Sequence, residues 1–140
     1  MRLSRTLVAV VLITVALCAT GGCSGPRVSL DGTQWKLTEW TLSSLNPADF
    51  AITATFAEGR ISGNSGVDSY GGPYTLGPDD AFSTGSITST AMAGPEDAMR
   101  AEGAYLTLLG QAKSYKMADD VLTLYDEGGN ESLIFGGTGP

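Results

Sequence analysis

The 140-residue sequence contains no histidine and only two cysteines. Without histidine, a Ser-His-Asp or Cys-His catalytic group and a histidine metal ligand are excluded. Cys18 lies inside an apolar run, so Cys23 is the one cysteine left for covalent chemistry. The sequence therefore indicates no catalytic residue, no metal site and no cofactor. An enzyme built from this chain would have to use carboxylates, lysine or tyrosine.

Positive charge is also scarce. The chain has 8 lysine and arginine residues against 15 aspartate and glutamate residues, which gives a net charge of −7. Arg2 and Arg5 lie in the leader described below, and their removal brings the net charge to −9. A chain of this charge repels nucleic acid and anionic lipid head groups. We therefore expect no nucleic-acid partner.

A long hydrophobic run is missing as well. The apolar stretch from Leu7 to Ala19 follows two cations and ends before Gly21 and Gly22. It is shorter than the roughly 20 residues that a membrane-spanning helix needs. The pattern is typical of a signal peptide. We assign residues 1–22 to that signal and expect the protein to be exported to the cell envelope.

The residues before Cys23 are the small residues Thr20, Gly21 and Gly22. Small residues before a cysteine are typical of the site that lipoprotein signal peptidase cleaves, although Thr20 stands where leucine, valine or isoleucine is usual. We therefore predict that the Cys23 thiol carries lipid and anchors the protein in a membrane. The alternative is ordinary cleavage between Ala19 and Gly22, which would leave a secreted protein.

The rest of the chain predicts a short tether over residues 23–31 and one domain over residues 32–140. Apolar residues alternate with polar ones at Trp35 and Leu37, as in a half-buried strand. A hairpin is predicted around Glu58 and Gly59, and dense glycines over residues 63–77 indicate bent strands. One further strand is expected around Phe82 and Ile87.

One helix is predicted between Pro95 and about Lys113, because apolar residues recur there at spacings of three and four. Three strands follow, over residues 114–117, 121–125 and 132–135. The fold class is therefore α+β: a strongly bent antiparallel sheet, or broken β-barrel, packed with one α-helix.

Several residues are candidates for a site, each with a structural alternative. The aromatic residues either line a ligand groove or form the core; they are Trp35, Phe56, Tyr70 and Tyr74. The neighbouring acids Asp79 and Asp80 either form an acid/base pair or are the solvated part of a turn. The run from Asp126 to Glu131 lacks the spacing of a calcium loop and is interpreted as a hairpin tip.

Two segments, Ile61–Tyr74 and Ile87–Gly94, resemble the META domain family, which includes HslJ-like proteins. The positions that match its motifs are Gly66, Val67, Asp68, Tyr70, Thr90, Met92 and Gly94. The opening Gly-Thr-x-Trp-x-Leu of the family matches residues 32–37. Val67 and Gly94 stand where members of the family have cysteines. The resemblance therefore implies that these two residues are neighbours in space.

The resemblance implies an envelope lipoprotein linked to stress or drug tolerance, without catalytic residues. Our hypothesis is a non-enzymatic, surface-anchored lipoprotein that binds a protein, peptide or lipid partner in its barrel or at an exposed strand edge. A structural accessory of the envelope with no dedicated ligand is the alternative. A carboxylate-based hydrolase is a third hypothesis.

Overall fold

The structure is a computed structural model, and it describes residues 29–41 and 43–138. The predicted signal peptide and Cys23 lie outside the described residues. The described part contains one α-helix, α1 (Glu96–Gln111), and nine strands. The strands are β1 (Thr33–Trp40), β2 (Thr53–Ala57), β3 (Arg60–Asn64), β4 (Ser69–Leu76), β5 (Phe82–Thr84), β6 (Thr88–Ser89), β7 (Ser114–Ala118), β8 (Val121–Tyr125) and β9 (Glu131–Gly137).

The strands form one antiparallel sheet that curls back on itself. Eight of them follow the order β5-β4-β3-β2-β1-β9-β8-β7, and β6 pairs with β4. The two ends of this path meet at a single bridge between Ala81 and Ser114. Beside the bridge, the Phe82 N–H donates to the Lys113 carbonyl at 2.9 Å. The sheet is thus a nearly closed barrel, which confirms the predicted fold class.

The predicted hairpin joins β2 to β3 through Glu58 and Gly59. Both residues have positive φ angles, 53° and 74°, which match the twist of a tight hairpin. β4 then pairs with β3 along one edge, while its other edge pairs first with β6 and then with β5. At Gly72 a β-carbon would lie 2.6 Å from the Ser86 carbonyl oxygen. Glycine therefore allows the close approach of backbones where the sheet bends.

Helix α1 begins directly after Pro95, and Glu96 and Asp97 in its first turn favour the positive end of the helix dipole. Its buried residues are Ala98, Ala101, Tyr105, Leu108 and Leu109, and Ala112 directly after the helix is buried too. These are the apolar residues whose spacing predicts the helix. Full burial of a large apolar side chain contributes about 1.5–3 kcal/mol, so these residues hold the helix on the barrel. No helix in the described part of the chain is long and apolar enough to cross a membrane.

Two details differ from the expectations. The strand expected around Phe82 and Ile87 is two short strands, β5 and β6. Between them the Gly85 N–H donates to the Pro73 carbonyl at 2.9 Å, but Pro73 has no N–H to return, which interrupts the ladder. Leu30, in the segment assigned to the tether, is fully buried in the core. Its carbonyl accepts the Thr33 N–H at 3.1 Å. The folded domain therefore includes residues that precede residue 32.

Candidate functional site

All the family-motif residues except Tyr70 meet at one place, together with Ser65 and Glu102. We call this place the motif junction: Ser65–Asp68, Thr90–Gly94 and Glu102. Glu102 lies on α1, and one of its carboxylate oxygens, Oε2, accepts three hydrogen bonds. The donors are the Ser65 hydroxyl at 2.8 Å, the Asp68 N–H at 2.9 Å and the Val67 N–H at 3.3 Å. Ser65 is fully buried. The helix is thus bonded directly to the loop between β3 and β4.

Asp68 extends the junction to the segment before α1. Its carboxylate Oδ1 accepts the Thr90 hydroxyl at 2.6 Å and the Met92 N–H at 2.9 Å. The hydrogen bond from Thr90 is the main reason that the pKa of Asp68 lies below its ordinary value of 3.8; the Met92 bond acts in the same direction, and burial opposes both. Asp68 therefore acts as an ionised acceptor that fixes this segment on the loop.

Val67 and Gly94 pack against each other in the same junction. A β-carbon at position 94 would lie 3.5 Å from the Val67 β-carbon and 2.8 and 2.9 Å from its two methyl carbons. The two positions are therefore neighbours, as the resemblance implies. Gly66 has φ of 123°, and a β-carbon there would lie 3.2 Å from the Ala98 carbonyl oxygen on α1. Glycine is required at that contact.

Tyr70, the remaining motif residue, points into the core. Its hydroxyl lies 2.6 Å from the Tyr105 hydroxyl on α1 and donates to the Thr53 carbonyl at 2.8 Å. Burial raises the pKa of both tyrosines above the ordinary value of 10.0. Both hydroxyls therefore stay protonated at neutral pH and tie the helix to β2 and β4.

The aromatic residues named as candidate groove lining mostly fill the barrel. Phe56 is fully buried, and Trp35 and Tyr70 are 5% and 4% exposed. Tyr74 is half-buried, and its ring meets that of Phe56 at 5.0 Å between centroids, edge to face. The structure therefore places these residues in a packed core, which is the structural alternative given for them.

Two clefts lie at the place where the barrel fails to close. β7 pairs with β8 along its whole length, but on its other side a turn, Pro78–Asp80, takes the place of a strand. The turn is bonded to itself: the Gly77 N–H donates to the Ala81 carbonyl at 3.0 Å, and the Ala81 N–H to the Pro78 carbonyl at 3.3 Å. We call residues Pro78–Asp80 and Tyr115–Ala118 the open edge.

A cleft of about 340 Å³ separates the two sides of the open edge. Its walls are Gly77, Pro78, Asp79 and Asp80 on one side and Tyr115, Lys116 and Met117 on the other. A second cleft of about 470 Å³ shares four of these residues, and Ser114, Tyr125 and Gly129 complete it. The open edge therefore offers a surface that a ligand can reach, unlike the aromatic interior.

The acids of the open edge face solvent. Asp79 and Asp80 are exposed and have positive φ angles of 58° and 57°, a conformation that aspartate tolerates better than most residues. Among the described residues, the salt bridge found joins Arg100 to Asp97 on α1, so neither acid belongs to an ion pair there. Both carboxylates are left to interact with a partner or with water.

Other acidic residues do not form a metal site in the described ranges, where no group of three or more His, Cys, Asp or Glu residues is placed to hold an ion. The run from Asp126 to Glu131 is the tip of the β8–β9 hairpin. Asp126 accepts the Asn130 N–H at 2.9 Å, and this bond is the main cause of its lowered pKa.

The sequence analysis did not identify Ser65, Glu102 or the open edge. Glu102 follows the buried Ala101 and therefore lies beside the apolar stripe, which is the one signal that could have marked it. The open edge had a signal too, because Gly77 and Pro78 interrupt the strand pattern before two acids. The partner across that break depends on strand order, which local patterns do not specify.

The fold defines the class: this is a small α+β protein in which a bent antiparallel barrel is joined to one helix through its glycine-rich motif residues. The particular family is shown by sequence: a model of the META domain matches residues 28–137. The chain is therefore a member of the META domain family. No curated protein matches the chain.

Solved structures with the same fold include a protein from Burkholderia xenovorans, determined by NMR. It is 30% identical, with a TM-score of 0.66 over 79% of this chain and 85% of its own. A crystal structure of a DUF4847 family protein from Bacteroides vulgatus is 15% identical, with a TM-score of 0.56 over 80% of this chain and 96% of its own. At 15% identity the second likeness concerns the fold alone.

Proposed function

We propose that the protein is a non-enzymatic, exported lipoprotein, anchored in a membrane through Cys23, whose META domain binds a partner protein at the open edge. In this proposal the lipoprotein supports the cell envelope under stress or drug exposure. The observation that carries the binding role is the strand edge of β7, which beyond Ser114 faces a cleft and a turn instead of a strand. Unpaired strand edges are ready-made sites for pairing with another chain.

The packed interior argues against a lipid held inside the barrel. Phe56, Phe82 and Tyr105 are among the largest side chains that are fully or almost fully buried there. The same observation favours a second candidate function, a structural accessory of the envelope with no dedicated ligand. The two candidates differ at the open edge, which only the first one uses.

A hydrolase that uses Asp79 and Asp80 is the third hypothesis. Both acids line the 340 Å³ cleft, but both are exposed to solvent. A carboxyl group that acts as a general acid is usually held in an apolar environment that raises its pKa. The exposure of these two side chains therefore gives the hydrolase no support.

The anchor is tested by native mass spectrometry of the protein extracted from membranes. We expect the mass of the mature chain plus a diacylglyceryl group, and we expect Cys23→Ser to lose both this mass and its membrane association. An unmodified Cys23 in the membrane fraction would contradict anchorage through this residue.

The binding role is tested by photo-crosslinking in the cell envelope. A photoreactive amino acid replaces Lys116 at the open edge or, as a matched control, Met92 in the motif junction, which is 61% exposed and apolar. We expect a discrete protein adduct at position 116 and none at position 92. Absence of any adduct at position 116 would instead favour the structural accessory.

A further inference from the structure

The backbone of β7 extends past the point where the barrel closes. Ser114 carries the last bridge to the opposite side, and Tyr115–Ala118 continue the strand in full register with β8. Successive hydrogen-bonding groups of a strand point to alternate edges, so part of this backbone faces the cleft. The opposite side is a turn and not a strand: the Gly77 N–H and the Pro78 carbonyl are both bonded to Ala81 within it. The gap therefore contains backbone N–H and C=O groups of β7 with which an added strand would pair.

The side chains of β7 at the open edge alternate between half-buried and exposed. Tyr115 and Met117 are half-buried against the core, whereas Lys116 and Ala118 are exposed. A strand in the gap would thus place every second side chain on apolar surface and the others toward water.

The charge around the gap is negative. Asp79 and Asp80 line the turn, and β7 ends directly at the exposed pair Asp119 and Asp120. Lys116 is the positive charge among the cleft-lining residues. The chain as a whole has 15 acidic against 8 basic residues. Charge complementarity therefore favours a basic ligand. Repulsion between like charges disfavours a second copy of this acidic chain as the occupant.

We infer that the open edge takes up an extended, basic segment of a partner polypeptide as an added strand on β7. The segment alternates apolar residues, which cover Tyr115 and Met117, with lysine or arginine residues, which approach Asp79 and Asp80. This inference rests on the proposed function and specifies the partner's chemistry.

The test uses the folded domain in solution and two short synthetic peptides. One peptide alternates valine with lysine, and the matched control alternates valine with glutamate. Binding is measured by titration, and the site by hydrogen exchange of backbone amides. We expect the basic peptide to bind and to slow exchange within Tyr115–Ala118, and the acidic peptide to do neither. Asp79→Asn with Asp80→Asn should weaken binding about fivefold, because each exposed charge pair contributes about 0.2–1 kcal/mol.

Four outcomes would overturn the inference. Equal binding of the acidic and basic peptides would remove the charge argument. Protection of amides away from β7 would place the ligand elsewhere. A dimer at micromolar concentration, detected by sedimentation without peptide and abolished by Lys116→Glu, would make a second copy the occupant. A protein adduct at position 116 in the envelope, together with no binding of the basic peptide, would refute this inference while leaving the proposed function intact.

Discussion

The motif junction and the open edge differ in how their polar groups are used. In the motif junction, Glu102 and Asp68 are acceptors for five hydrogen bonds from neighbouring segments. At the open edge, Asp79 and Asp80 are exposed, and the turn that carries them is closed by backbone hydrogen bonds among Gly77, Pro78 and Ala81. The carboxylates of the motif junction are thus used to hold the fold together, whereas those of the open edge remain free to bind a ligand.

This difference explains why the family's motif residues do not indicate a catalytic or ligand-binding site. A glycine-rich motif with acids and hydroxyls has the composition of a binding loop. In this fold its donors are already satisfied by the carboxylate of Glu102, and no buried side-chain polar atom lacks a partner in the described part of the chain. Buried polar groups that are fully bonded specify structure and do not by themselves indicate a ligand.

The largest expected effect concerns Val67 and Gly94. The variant Val67→Cys with Gly94→Cys should form a disulfide, because a β-carbon at position 94 lies 3.5 Å from that of residue 67. Closing this loop should raise the free energy of unfolding by about 3 kcal/mol relative to the reduced form, measured by urea denaturation. Free thiols after mild oxidation, or no gain over the reduced form, would show that the junction is looser than described.

A smaller effect is expected for Glu102, the acceptor shared by three donors. Glu102→Ala should lower the free energy of unfolding by about 2 kcal/mol, because it leaves the Val67 and Asp68 N–H groups without their acceptor. The Ser65 hydroxyl can still donate to the Asp68 carbonyl at 2.9 Å. Glu102→Gln is the matched control: it keeps an oxygen acceptor and should cost about 1 kcal/mol. The two variants are compared by urea denaturation. Equal values for both would mean that the hydrogen bonds to this residue do not hold the helix.

The junction should also respond to acid. The pKa of Asp68 is lower in the folded protein than its ordinary value of 3.8, so ionised Asp68 stabilises the fold above about pH 4. That stability is lost as the pH falls through the folded pKa. Asp68→Asn should therefore flatten the decline of stability below about pH 4, measured by urea denaturation across the acid range. An unchanged acid decline would assign it to other carboxyls, such as Asp126.

The smallest effect on stability is expected at the open edge. Asp79→Asn with Asp80→Asn should change the free energy of unfolding by less than about 0.5 kcal/mol, because both side chains are exposed. The same pair of changes is expected to weaken binding of the basic peptide. At this site, therefore, the substitutions should affect binding without affecting stability. A loss of more than about 1 kcal/mol, seen in thermal or urea unfolding, would mean that the turn supports the barrel.

Local patterns were sufficient for most of the fold. The spacing of Ala98, Ala101 and Tyr105 predicts the helix, and the Glu58-Gly59 turn predicts the β2–β3 hairpin, because both depend on neighbours in the chain. The motif junction depends on contacts between residues more than 20 positions apart, such as Thr90 with Asp68 and Glu102 with Asp68. Its one predicted contact, Val67 with Gly94, came from the resemblance and not from periodicity. The open edge follows from strand order alone.

Native-state hydrogen exchange tests the contrast between the two regions most directly. The Asp68 and Met92 amides donate to carboxylates of the motif junction at 2.9 Å each. We predict that they exchange only through openings close to global unfolding. The amides of Tyr115–Ala118 that do not pair with β8 should exchange through local openings at least about 2 kcal/mol less costly. Exchange of Asp68 and Met92 as fast as that of the unpaired β7 amides would contradict the account.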